Sequence, residues 1–284
     1  MRRLTYTNKT TGESVVLSTS APFFVSKIEG AGSPTATFFT HKAPTQMGVT
    51  YRGSTLEPRY LSLEGAVMGN NLNEIYERRA RLTTVLNPND GLGRLRYEYA
   101  GGVKEIDAVV ETVDFPDRQG QPYQMFFISL MCPDPLWQDA TVTRLEMSYI
   151  SGKFMFPVKF PNMFSQRAAL KTFINKSAYE VPIKITFIGP ASNPTITNRT
   201  TGEHIRVNRE LADNDILYID TSFGNKSVTI VRGDGTRENA FNYIDLDTVF
   251  FQLVKGENKI SYNSNNDSTK TRVLIEYRNR YLGV

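Results

Sequence analysis

Short apolar–polar alternation runs through nearly all of this 284-residue chain. Strict period two sends one side of a segment into a core and the other to solvent, which is the geometry of a half-buried β-strand. Residues 14–17, 60–63, 95–99, 103–113 and 123–131 read this way in the first half. In the second half the same reading covers 144–150, 154–160, 183–188, 195–198, 204–207, 216–220, 227–231, 249–253, 259–262 and 272–277, while 161–177 resists assignment. Turn residues separate these runs at close spacing, among them Gly101-Gly102, residues 117–121, Gly233-Asp234-Gly235 and Lys255-Gly256-Glu257-Asn258. Many short strands at that spacing build a sandwich or a barrel.

One turn occurs twice. Tyr6-Thr7-Asn8-Lys9-Thr10-Thr11-Gly12-Glu13 returns as Ile196-Thr197-Asn198-Arg199-Thr200-Thr201-Gly202-Glu203, identical at six of eight positions. Each copy lies between alternating runs and holds one glycine where a hairpin needs a positive φ. The repeat predicts the same hairpin opening a β-rich segment in each half, a matter of architecture and not of catalysis.

A single helix interrupts the pattern. Asn71 is placed to cap it and Glu74 to complete a capping box. Leu72, Ile75, Leu82 and Leu86 follow spacings of three and four, with Arg79 interrupting the stripe. Glu74/Arg78 and Glu77/Arg81 have the favourable i,i+4 polarity, and Asn87-Pro88 ends the segment. One face is expected on a sheet, the other in solvent or against a partner.

Pro133-Asp134-Pro135-Leu136-Trp137 cannot continue a central strand, because two prolines in three residues remove two ladder donors. We place the domain boundary there, giving domains 1–136 and 137–284. A hydrophobic fraction of 40% supports real cores. No apolar run reaches 18 residues, so no membrane-spanning helix is expected. Met1-Arg2-Arg3-Leu4-Thr5 is not followed by an apolar stretch, so no secretory signal is expected. The single Cys132 permits neither an internal disulfide nor a cysteine zinc site, and fits synthesis in a reducing cytoplasm. A net charge of +4, with the basic residues scattered apart from Arg78-Arg79-Arg81, is not the footprint of a nucleic-acid reader.

The chain offers little chemistry. His41 and His204 are the only histidines and lie in different halves. No G-x-S-x-G, H-E-x-x-H or glycine-rich phosphate loop is present. Asp245 and Asp247 would share one face of a strand, and Asp213-Asn214-Asp215 is an acidic loop, but neither supplies the six to eight oxygens that calcium takes. Solvation of a turn or strand face is the stronger reading of both, over a glycosidase-like carboxylate pair. Arg232-Gly233-Asp234 reads as a turn and not an adhesion motif. The Asn-x-Ser/Thr triplets at Asn8 and Asn198 matter only in eukaryotic secretion. We therefore expect no catalytic residue, no cofactor and no metal. What remains is interaction, since a chain with many β edges must cover or pair them.

The order of several strings resembles a known family. These are residues 7–13 before a strand, Pro22-Phe23-Phe24-Val25 leading to residues 28–32, and residues 56–65 before the helix and Leu86-Asn87-Pro88. The junction Cys132-Pro133-Asp134-Pro135-Leu136-Trp137 follows, then residues 193–198, the Gly202 turn and residues 217–221 before Lys226-Ser227-Val228. Together they resemble the distal tail proteins of bacteriophages with long non-contractile tails, the siphovirus tail component family. The resemblance implies a mainly β chain: an N-terminal tail-tube-like β-sandwich with one helix and a long hairpin, and a C-terminal galectin-like β-sandwich. It implies a non-enzymatic hub in the virion, made in the bacterial cytoplasm. Its hexameric ring, single or stacked, would join the tail tube to the tail-tip or tail-associated lysin protein, and to receptor-binding proteins at the baseplate. The hairpin 92–113 would be the belt between neighbours, and the lumen would pass DNA without gripping it. The second domain has His204 but no tryptophan beyond the boundary Trp137, so galectin-type sugar binding is not expected. The competing readings are a carbohydrate- or receptor-binding module of phage or prophage origin, and a glycan hydrolase using Asp245 or Asp247.

Overall fold

The computed structural model describes residues 2–117, 122–148, 169–265 and 270–284. The described residues are mainly β with one long helix and form two compact units. The first comprises Met1–Ala140 together with Tyr281–Val284, the second Thr141–Arg280. A boundary at 136/137 assigns the last four residues to the second domain, whereas here they pack with the first unit.

The first unit holds β1 (Arg3–Asn8), β2 (Ser14–Ser18), β3 (Phe23–Glu29), β4 (Ala36–His41), β5 (Thr50–Leu56), β6 (Arg59–Met68), helix α1 (Leu72–Val85), β7 (Leu92–Tyr99), β8 (Gly102–Asp114), β9 (Tyr123–Cys132) and β10 (Trp137–Asp139). Hydrogen bonding runs in the order β8-β7-β1-β2-β3-β6-β9, and β9 pairs back with β8, so the sheet closes on itself. Its narrowest join is one parallel pair, Ser18 with Phe24. Alternation supplies the core: Leu4, Tyr6, Leu63, Leu95, Ile128 and Leu130 all turn inward and are buried. Closure leaves these strands without a free edge.

Helix α1 lays Ile75, Leu82 and Val85 into the same core. Asn71 Oδ1 accepts the Glu74 N–H at 2.9 Å, and Glu74 accepts the Asn70 N–H at 2.7 Å, one residue earlier than a standard capping box would have it. Arg78 pairs with Glu74 as expected. Arg79, which breaks the apolar stripe, stacks over the Phe115 ring with its guanidinium carbon 4.6 Å from the centroid.

The second unit holds β11 (Thr143–Ser148), β12 (Ala169–Asn175), β13 (Ile183–Ile188), β14 (Ala191–Ser192), β15 (Thr195–Asn198), β16 (His204–Arg206), β17 (Glu210–Leu211), β18 (Ile216–Asp220), β19 (Ser227–Val231), β20 (Arg237–Asn239), β21 (Gly256–Asn263) and β22 (Arg272–Tyr277). A sheet ordered β11-β22-β13-β18-β19-β20 and one ordered β12-β21-β15-β16 contribute to a single core, with Phe187, Leu217 and Ile275 from the first and Phe173, Ile196 and Ile260 from the second. After it, Tyr281 of the short β23 (Arg280–Tyr281) returns to the first unit, where Lys104 Nζ sits 3.6 Å from its ring centroid.

The repeated turn is one device built twice. In both copies the asparagine is buried. Asn8 Oδ1 accepts the Thr10 N–H at 2.9 Å and Asn198 Oδ1 the Thr200 N–H at 3.0 Å. Gly12 and Gly202 take φ of +76° and +82° and donate to the asparagine carbonyl. The spare amide protons differ: Asn8 donates to Asp90, Asn198 to Asn258.

Two strand expectations need comment. Residues 249–253 alternate but form no strand. Leu253 makes a lone bridge to Val181, and the Val249 N–H goes to the His204 carbonyl, so a packed loop imitates the strand pattern. The strand expected over 154–160 lies outside the described residues.

Candidate assembly interface

The residues with potential chemistry are dispersed or already engaged. His41 is exposed on β4 in the first unit, and His204 opens β16 in the second. Asp245 and Asp247 sit in a turn, not on a strand, which corrects the shared-face expectation; Asp245 lies 3.8 Å from Arg206. Asp213 pairs with Lys270 at 2.9 Å. Among the described residues no three His, Cys, Asp or Glu side chains converge as a metal site.

Arg232 of the Arg-Gly-Asp triplet is spent within the fold, on Asp215 at 2.7 Å and on Glu238. Burial alone would raise the Asp215 carboxyl. Donation from the Ala212 N–H, the Arg232 guanidinium and the Gly233 N–H holds it below the ordinary carboxylate range instead. Glu238 is also lowered, chiefly by Arg232, with Arg209 adding to it. A carboxyl depressed in the folded state stabilises above its unfolded value and loses that contribution as pH falls through its folded one. The second unit should therefore lose stability progressively from about pH 5 downward. Asp215→Asn should lower its midpoint at neutral pH and flatten this acid dependence, as read by thermal unfolding across pH.

The expected belt hairpin, β7–β8, has no free backbone edge. The outer edge of β7 is paired with β1, and that of β8 with β10 and β9, so its backbone groups are consumed inside the sheet. The unpartnered hairpin is β4–β5, inserted between β3 and β6. Among the described residues its strands pair with each other and with no other strand. Phe38, Phe39, Val49, Tyr51 and the tip residue Met47 are 52% to 99% exposed. The only ring contact among them is Phe38 against Tyr51, edge to face at 6.3 Å. A lone two-stranded hairpin is marginal in water, and exposed aromatics on one mark an interaction surface.

Residues 10–132 match the family described as the phage tail protein RIFT-related domain, and residues 176–281 match the C-terminal domain of the siphovirus-type tail component. The chain belongs to the siphovirus tail component family. Solved structures share the fold of this distal tail protein. The Dit protein of phage SPP1, described as a paradigm of the hub adsorption apparatus in phages infecting Gram-positive bacteria, superposes with a TM-score of 0.70 at 11% identity over 99% of both chains. A chain of the phage P2 baseplate in its activated conformation with calcium gives 0.60 at 13% identity, and one from the strontium form 0.59 at 11%, each over the full length of both chains. No curated protein sequence matches.

In this tail component the sequence signal for the arm was present but weak. Thr37-Phe38-Phe39-Thr40 and Thr50-Tyr51 have strand composition without alternation, because neither face of the hairpin is buried.

Proposed function

We propose that this protein is the hub at the distal end of a long non-contractile phage tail, a ring of six copies joining the tail tube to the tip and its receptor-binding or lysin proteins. The observation that carries the ring is the β4–β5 arm: apolar, exposed, paired with no other strand among the described residues, and inserted in a sheet that is otherwise closed. Light scattering with negative-stain imaging of the purified chain tests it. A ring with a central hole and the mass of six chains of 32.1 kDa, or a stack of two such rings, is the expected result. A species that stays monomeric alone and also with a tube or tip protein would sink it.

The second unit offers surface suited to holding a partner. A cleft of about 390 Å³ on β19 and β20 is lined by Lys226, Thr229, Arg237, Glu238, Asn239 and Phe241, among others. Phe223 and Leu246 stand almost fully exposed in the same unit. A second reading, a receptor- or glycan-binding module, draws on this cleft. Galectin-type binding is disfavoured, because the sole tryptophan, Trp137, is buried in the core of the first unit. Titration with lactose should give no heat; saturable binding abolished by His204→Ala would overturn that.

A further inference from the structure

The sheet that ends on β20 gathers unspent hydrogen-bonding groups at one edge. In the β19–β20 hairpin Thr229 lies opposite Asn239 and Val231 opposite Arg237, while Val228 and Ile230 are buried in the core. Residues of the other parity therefore face away from that core. With Lys226 and Phe241 they line the cleft of about 390 Å³. Small-ligand clefts span about 300–1,000 Å³.

Charge in this cleft is unbalanced. The carboxylate in its lining, Glu238, is held by Arg232 and by Arg209, the latter at 2.9 Å. Beside Ser227 on the neighbouring strand, Asp220 pairs with Lys184 at 3.2 Å and accepts the Ser222 N–H at 2.8 Å. Among the described residues Arg237 and Lys226 pair with no carboxylate. Lys226 Nζ lies instead 5.6 Å from the centroid of the Phe250 ring. Two cations of the cleft wall are thus left without a counter-charge.

The uncharged groups beside them are unspent as well. Asn239 Oδ1 accepts the Phe241 N–H at 3.0 Å, which leaves the amide NH2 to donate elsewhere. The Ser227 and Thr229 hydroxyls have no side-chain or backbone partner among the described residues. Phe241 stacks on Phe250, centroids 5.6 Å apart at 14°, and keeps 38% of its surface exposed. Cations call for an anion, hydroxyl and amide groups match hydroxyls, and a ring held flat takes C–H surface. An acidic peptide would answer the cations but brings no row of hydroxyls.

We propose that this cleft binds an anionic polyhydroxyl chain, a saccharide or polyol that carries phosphate or carboxylate. Arg237 and Lys226 meet the anion, Ser227, Thr229 and Asn239 the hydroxyls, and Phe241 the C–H face. The site needs no tryptophan and no histidine, so it is distinct from galectin-type binding, and a neutral disaccharide lacks the charge it selects. The proposal rests on the receptor- or glycan-binding reading of the second unit and names the class of ligand.

Titration calorimetry of the full-length protein tests it with four polymers: poly(glycerol phosphate), polygalacturonate, neutral dextran and polyglutamate. The expected result is saturable binding of at least one of the first two, at least about tenfold tighter than polyglutamate, and none of dextran. Preference between the two tells phosphate from carboxylate. Affinity should fall with added salt, and Arg237→Glu should lower it at least about tenfold. Thr229→Val, which keeps the side-chain shape, should weaken binding of the polyhydroxyl polymers and leave that of polyglutamate unchanged. Thermal unfolding confirms that each variant folds. Polyglutamate bound as tightly, or polymer binding that survives Arg237→Glu, would overturn the proposal. Dextran bound with equal affinity would overturn it while the glycan-binding reading stands. Silence from all four polymers would take that reading down with it.

Discussion

Replacing residues 36–56 by a short Gly-Ser turn should abolish the ring while leaving the first unit folded. The arm joins its unit through the Glu57 N–H donating to the Thr35 carbonyl at 2.9 Å, below the excised segment. Among the described residues β4 and β5 pair only with each other, and none of their residues belongs to the buried core. Excision therefore removes exposed apolar surface and little stability. The interface has the most to lose: buried aromatic anchors are where association energy concentrates, at about 2 kcal/mol or more each. Losing Phe38 and Tyr51 together would cost on the order of 4 kcal/mol, about a thousandfold in each subunit contact. The double variant Phe38→Ser/Tyr51→Ser, which keeps the arm's length, should thus already give monomers at micromolar concentration. Light scattering reads the mass and thermal unfolding the fold. Rings that survive both changes would show that another surface holds the copies together.

How far these features could be read from sequence depended on whether the cause was local. The helix start was legible, because Asn71 and Glu74 act within a turn of their own backbone; the helix ends at Val85, and Leu72 of the expected stripe is exposed. The twin turns were legible for the same reason. The closed sheet was not, since the pairing of β8 with β9 depends on register and a bulge between Val110 and Thr112, neither of which is written in alternation. The arm was missed because alternation reports burial of one face, and a hairpin exposed on both faces has no such signal until a partner covers it. The hairpin 92–113 was found correctly, but its assignment as a belt assumed free edges, and edges are a property of the sheet, not of the strand. Asp215 looked like half of an acidic loop; only the fold brings Arg232 to it across 17 residues.

Arg59 is the extreme case of a nonlocal cause, and substituting it should have the largest effect on stability in the molecule. It opens β6, one residue before the strand expected over 60–63 and in phase with the buried Leu61 and Leu63, and it is 2% exposed. Its Nε donates to the Pro135 carbonyl at 2.8 Å, Nη1 to the carbonyls of Gly30 and Gly32, and Nη2 to that of Leu282. The guanidinium carbon sits 5.9 Å from the centroid of the Trp137 ring. One cation thus ties together the base of the arm, the proline junction and the C-terminal residues. Burial pulls the guanidinium below its ordinary pKa, but arginine stays charged in any accessible pH range, so its desolvation must be met by these carbonyl dipoles. Arg59→Met would keep most of the side-chain volume and leave four part-buried carbonyls short of a donor, at up to about 1–3 kcal/mol each. A loss of at least about 3 kcal/mol is expected, a large part of a stability that for most domains is about 5–15 kcal/mol. The first unit's melting transition should fall by roughly 10 °C or more, with that of the second unit unmoved. Arg59→Lys should recover little, because one ammonium cannot span carbonyls arranged around a planar fork. Deleting Tyr281–Val284 removes one of the four acceptors along with the Tyr281 and Val284 packing. Combined with Arg59→Met it should therefore cost less than the sum of the two changes. Full additivity would mean that Arg59 and the C-terminus stabilise the unit independently, and the clamp described here would be wrong.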